Sequence, residues 1–452
     1  MERLVQSRLA ILAAAVVVGP IAGALTVRKP AVALLVCLAV LSLFALAALG
    51  DRAFPWLIML VAVIPWYPLT GEGDAPPVIK QLFFCIAIVA APLVPTLWSL
   101  AQGERRARTN RIMLLLAILS FGFFVIVYLT VGLKDMVQSG TIGFLIGGIT
   151  FLCARRFSDP EPWLAACFGG LVVLTLCGFL AFAADPSERV GSFSGHGITF
   201  GALVVMVLPG ALVWAARRSR LLAFGAATAG ATLMIISLSR SSWIAAIVMV
   251  FIVMMLLARR GDFRLLSYVA TGMVVAIAVI FLTGSLHKIV EQRVNSNVTS
   301  SDSFTHREFS LHFFTAEVKN RPIFGASQPL FAAQQAGAET DIGAVDNGYL
   351  SISVDMGLLG LAVALFPLAV ALITLARSLR LGVASPPDIA LALSLVGVGV
   401  VTLFYDSFYW AQLDLLMFAM GGVLSARLYM LPRLSFRSDA LPAIGRDTTA
   451  RA

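Results

Sequence analysis

The sequence predicts an all-α polytopic membrane protein, a bundle of about twelve to fourteen transmembrane helices. Three observations carry that reading. The 452 residues are 59% hydrophobic and 13% charged, with a mean hydropathy of +0.93, against roughly 25% charged residues in soluble globular domains. Apolar runs of membrane-crossing length recur along most of the chain. Arg and Lys gather in short clusters on alternate connections between those runs, the pattern by which basic loops fix topology.

A bilayer core of about 30 Å is crossed by about 20 apolar residues in a helix, and shorter segments are tolerated inside a bundle. Candidate spans therefore lie near 9–26, 31–49, 53–69, 78–100, 112–133, 141–154, 163–184, 198–216, 221–238, 242–258, 265–284, 348–376, 389–405 and 412–431. The spans at 53–69 and 141–154 carry the weakest pattern. "MERLVQSR" leads into the first run without a cleavage site, so no removable signal peptide is expected. The chain divides into N-terminal membrane helices (1–184), helices with Arg-bearing outer turns (185–284), a hydrophilic loop (285–346), C-terminal membrane helices (347–431) and a tail (432–452).

With the N-terminus on the cytoplasmic side, the inner connections are "GERRARTNR", "RRFSDPEP", "RRSR", "RRGDFR", "RSLR" and the tail after Arg427. All are Arg-rich. The outer ones are "TGEGDAPP", "KDMVQSG", "DPSERVGSFSGHG", "LSRS", residues 285–346 and "YDSFYWAQ", acidic, neutral or only locally basic. Only "VRKP" near residue 28 breaks the alternation. The net charge of +9 thus belongs to loops facing a lipid surface, and nucleic acid is not an expected partner.

Residues 285–346 are too few for an ordinary independent domain. Within them "THREFSLHFFTAEVKN" brings Phe309, Phe313, Phe314 and Val318 to roughly one helical face, which predicts an amphipathic helix on or near the outer membrane surface. The five cysteines (Cys37, Cys85, Cys153, Cys167, Cys177) lie in or at the ends of apolar runs without CxxC spacing and read as packing residues. The four His are scattered, and no HExxH, DxD or Cys cluster occurs, so no metal site or cofactor is expected.

Polar groups at the outer ends of apolar helices need a cavity, a partner or the interface. Arg240 in "SLSRSSW" either snorkels to headgroups or, with Ser237, Ser239, Ser241 and Ser242 in a tight turn at a helix N-terminus, forms an anion site. The second reading places Arg240 at the outer mouth of the bundle. Arg189, before Gly191, Gly195 and Gly197, is read as an ion pair with Glu188 or Asp185, or as a ligand contact where backbone approaches closely. His306 and Arg307 open the amphipathic helix, as a solvated face or a ligand contact. Asp346 and Asn347 precede an apolar run, where capping and a chemical role are compatible. Asp355 and Gly357 mark a helix break, and Gly325 after "RPIF" a turn.

In order, "RVGSFSGHGITFGA", "LSRSSWIAAIV", "HREFSLHFFTAEVKNRPIFGAS" and "VDNGYLSISVDMGLLGLAV" resemble the signatures of the O-antigen ligase and O-antigen polymerase superfamily of bacterial inner-membrane enzymes, over roughly residues 185–376. The resemblance implies a membrane-embedded, C-type, metal-independent inverting glycosyltransferase. Its implied donor is an undecaprenyl diphosphate-linked oligosaccharide used on the periplasmic side, with a flippase and a chain-length regulator as candidate partners. Arg240 and Arg307 correspond to the arginines thought to hold the donor diphosphate, with Arg189 as a third. Asp346 then acts as base, and Ser239, His306, Asn347 and Tyr349 line the substrate. Ligases of the family typically carry His-Asn where this chain has Asp346-Asn347, which favours a polymerase of O-antigen or exopolysaccharide repeat units over a ligase. Tyr349 and Trp243 are also candidates for packing. A lipid-linked sugar transporter or a non-catalytic scaffold of an assembly complex are the readings from other classes; no duplication of halves, which a transporter would favour, is visible.

Overall fold

The structure is a computed structural model that describes residues 52–63, 141–155, 157, 159–184, 197–260, 347–381, 385–405 and 411–438, with isolated positions between 270 and 323. Every regular element among the described residues is an α-helix, as the composition predicts. They are α1 (Ala53–Val63), α2 (Thr141–Ala154), α3 (Pro160–Ala184), α4 (Gly197–Ala216), α5 (Arg220–Ile236), α6 (Arg240–Arg260), α7 (Gly348–Leu381), α8 (Pro386–Thr402) and α9 (Ala411–Ser438). Three stretches, Pro160–Ala184, Gly197–Ala216 and Met356–Arg380, are long and apolar enough to cross a bilayer unaided. The 17-residue α5 and α8 reach only about 25 Å, so they rely on their neighbours.

The exterior is apolar as well as the interior. Leu176 and Leu180 on α3, Ile247 and Phe251 on α6, and Phe366 and Leu372 on α7 are all exposed. In water such a surface would cost about 25 cal/mol per Å²; against lipid it costs nothing, so the chain is a membrane protein. At the centre runs α4, buried from Phe200 through Val207 except at its far turns, and it packs on α3, α5, α6 and α8. Lipid gives no hydrophobic drive between helices, so close backbone approach through small residues does the packing. Gly147 on α2 abuts the Phe418 ring of α9, and Gly422 abuts the Phe151 carbonyl. Cys153 and Cys167 are buried and form no disulfide, and Cys167 packs against Gly210 of α4.

The two ends of the bundle differ. At one, Arg217 ion-pairs with Glu161, Arg427 ion-pairs with Asp388, and the Arg377 guanidinium donates to the Leu428 carbonyl at 3.4 Å. Ser385 and Asp388 there form a capping box at the start of α8. This end gathers the connections carrying Arg155, Arg217, Arg218, Arg220, Arg377, Arg380 and Arg427. At the other end lie the α5–α6 turn, the start of α7 and residues 403–405. The described basic residues of these connections thus share one end of the bundle, and the serine turn and the start of α7 lie at the other.

One helix is broken. Gly357 in α7 has φ 67° and ψ −163°, a region open essentially to glycine alone. A break orphans the amides that follow it, and two find acceptors in a turn of the preceding loop. Leu358 N–H donates to the Pro322 carbonyl at 2.8 Å and Leu359 N–H to the Ile323 carbonyl at 3.5 Å. The break expected at Asp355 and Gly357 is therefore real and is centred on the glycine. The described positions of the amphipathic segment, 315 and 318–320, are helical, whereas Gly325 lies outside the described residues.

Candidate functional site

The α5–α6 turn is built by its serines. Ser237 ends α5 and donates its hydroxyl to the Met234 carbonyl at 2.7 Å. Leu238 then adopts φ 49°, the left-handed conformation usually left to Gly or Asn. Ser239 caps α6: its Oγ accepts from Ser242 N–H at 3.3 Å, and its carbonyl accepts from Trp243 N–H at 3.1 Å. The Ser239 hydroxyl also lies 3.1 Å from Ser241 Oγ and 2.9 Å from Ser242 Oγ. Trp243 Nε1–H donates back to the Met234 carbonyl at 2.8 Å, closing the turn. All four serines are buried.

In the fold these hydroxyls, which the sequence offers to a ligand, bond to one another and to the backbone. What the turn presents is Arg240, the first residue of α6, half-buried at the end of the bundle. Ser239 acts on it through the backbone, by fixing where the helix starts.

The second component is the start of α7. Asn347 is its N-cap, with Oδ1 accepting from Leu350 N–H at 3.1 Å and its carbonyl accepting from Ser351 N–H at 2.9 Å. The Tyr349 hydroxyl donates to the Gly399 carbonyl of α8 at 3.1 Å, which pins the first turn of α7 to the end of α8. Gly348 N–H donates to the Tyr405 carbonyl at 3.2 Å.

The first turn of α4 joins the two components. Thr199 Oγ1 and Tyr405 OH share a hydrogen bond of 2.9 Å. One residue pair along, a Cβ placed on Gly201 would collide with Ser242 Oγ and lie 3.0 Å from Ser237 Oγ, so the missing side chain lets the serine turn rest on α4. A continuous path of contacts thus runs from the Ser239–Arg240 turn through Gly201, Thr199 and Tyr405 to Gly348 and Asn347. The structure brings Ser239, Arg240, Asn347 and Tyr349 to one end of the bundle, opposite the Arg-rich end. Arg189, His306, Arg307 and Asp346 lie outside the described residues.

Sequence reasoning missed the positioning residues Thr199, Gly201 and Tyr405. The last sits in "YDSFYWAQ", read only as an outer loop, and no local pattern announces a partner 206 positions away.

The O-antigen ligase family model matches residues 225–365. The matched stretch begins within α5 and ends within α7, so it contains the serine turn, Arg240 and Asn347. It supports the O-antigen ligase and polymerase superfamily to which the motifs pointed. No curated protein and no solved structure matches the chain.

Proposed function

We propose, from the match of residues 225–365 to the O-antigen ligase family, that this chain is a bacterial inner-membrane glycosyltransferase that polymerises undecaprenyl diphosphate-linked repeat units. The observation that carries this reading is the contact path that brings Arg240 and the Asn347 cap to one end of the bundle. An arginine at a helix start whose backbone is held can offer its guanidinium to a phosphate, and Asp346 directly precedes the cap. The Arg-rich opposite end supports a periplasmic orientation for the site, because basic loops remain in the cytoplasm.

In the proposed reaction the growing chain sits with its diphosphate against Arg240 and Arg307, with Arg189 as a further contact. A hydroxyl of a second lipid-linked repeat unit attacks the anomeric carbon while Asp346 takes its proton. The new C–O bond forms with inversion, the bond to the phosphate oxygen breaks, and undecaprenyl diphosphate leaves with its charge held by the guanidiniums. His306 and Asn347 contact sugar hydroxyls, and no metal is required. A flippase supplies the repeat units, and a chain-length regulator is a candidate partner.

The family's own description favours a second reading, transfer of finished polymer to another acceptor by a ligase. Lipid-linked intermediates in a deletion strain separate the two. Accumulated single repeat units support polymerisation, accumulated long chains support ligation, and repeat units stalled on the cytoplasmic face indicate a transporter. Arg240→Ala and Asp346→Asn, returned to that strain, should each abolish polymer while the protein stays folded and abundant. Normal polymer from both variants would reduce the chain to a scaffold and overturn the proposal.

A further inference from the structure

The turn between α4 and α5 holds three arginines in four residues, Arg217, Arg218 and Arg220, at the end of the bundle away from Arg240. Arg217 is engaged by Glu161. No carboxylate among the described residues pairs with Arg218 or Arg220, and both are exposed. Arg218 is nevertheless held in one place, because its guanidinium lies over the Trp214 ring, 3.9 Å from the centroid. A cation on an indole face is favoured by the ring quadrupole. Phe168 also stacks on that ring at 4.5 Å with an interplanar angle of 23°, and Leu164, Val213 and Ala390 pack around it from three helices. The platform is rigid, so the guanidinium is oriented in advance. The Trp214 Nε1–H is buried and has no acceptor among the described residues.

The same turn ends on a helix start. Ser219 caps α5 by accepting from Leu222 N–H at 3.1 Å, and the positive end of the helix dipole adds to the local field. Next to these charges stand two apolar side chains without cover, Leu221 at 79% exposure and Leu222 at 40%. A soluble anion would have no use for them. Cations beside exposed leucines on the rim of a membrane bundle match an amphiphile, with a phosphate over hydrocarbon.

We infer that the Arg217–Arg220 turn is a binding site for the phosphate of an anionic phospholipid, contacted by Arg218 and Arg220, with Leu221 and Leu222 against its acyl chains. The site is independent of the proposed transferase reaction and lies at the opposite end of the bundle.

The test uses the purified full chain reconstituted in discs of phosphatidylglycerol and phosphatidylcholine, then released into detergent, with the retained lipid measured by native mass spectrometry. Wild type should retain phosphatidylglycerol in preference to phosphatidylcholine. Arg218→Gln and Arg220→Gln should each weaken that preference about five-fold, and raised salt should reduce it further. Arg380→Gln removes an exposed arginine from the same end without touching the turn, and should change retention less than about two-fold. Because Arg220 and Arg380 are exposed, their variants should melt with wild type, and Arg218→Gln should melt only slightly lower, by the loss of its contact with Trp214. Three results would overturn the site: unchanged retention in both turn variants, an equal loss in Arg380→Gln, or displacement of the lipid by inorganic phosphate at concentrations comparable to the lipid's own.

Discussion

Thr199 Oγ1 and Tyr405 OH lie 2.9 Å apart in the buried end of the bundle although 206 residues separate them. This one bond links the first turn of α4, which seats the serine turn, to the residue whose carbonyl holds Gly348. Leaving one buried partner unsatisfied costs about 1–3 kcal/mol, so Tyr405→Phe and Thr199→Val should each lower the thermal midpoint in detergent. The double variant should lose less than the two losses added together, since directly bonded residues couple. Full additivity would mean that the bond contributes nothing.

Asn347 distinguishes capping from substrate contact. Asp caps as well as Asn, whereas Ala loses about 1 kcal/mol. Asn347→Asp should therefore keep stability and Asn347→Ala should not. If the amide also meets the sugar, as proposed, polymer synthesis should fall in both variants. Full activity in Asn347→Asp would leave the residue a cap alone.

Gly201→Ala should lower stability and polymer yield together, because the added methyl drives Ser242 away from α4 and displaces the start of α6 with Arg240. Removing the hydroxyl with Ser242→Ala should restore only part of the loss, since the Ser242 Cβ would still be 3.0 Å from the new methyl. A fully stable, fully active Gly201→Ala would show that the turn's seat does not govern Arg240.

At the Arg-rich end, Asp388 is 1% exposed and Arg427 25%. Removing the cation leaves a buried carboxylate, a loss of about 3 kcal/mol or more, so Arg427→Ala should be among the most destabilising single changes in the described bundle. Asp388→Asn should cost less, because a neutral amide still caps α8. The order of the two thermal midpoints checks this.

Much of the helical frame is legible in the chain because lipid imposes length and composition on every crossing. The expected spans 198–216, 221–238 and 348–376 correspond to Gly197–Ala216, Arg220–Ile236 and Gly348–Leu381. Even the short 141–154 run is Thr141–Ala154. Asp355 and Gly357 announced the break because glycine alone accepts such a backbone. The site was readable only as residue types. Four serines beside an arginine look like ligands in a string of letters, and their mutual hydrogen bonds arise from a Leu238 in the left-handed region, where propensity predicts Gly or Asn. Thr199 with Tyr405, and Pro322 with Leu358, are pairings of tertiary structure that no periodicity encodes.

The hydrogen bonds from Leu358 and Leu359 to Pro322 and Ile323 also bear on biogenesis. Residues 322 and 323 leave the ribosome before 358 and 359, so the carbonyls are already available when the bent helix is delivered to the bilayer. A chain deprived of that segment would have to insert α7 with bare amides in hydrocarbon or straighten it through Gly357.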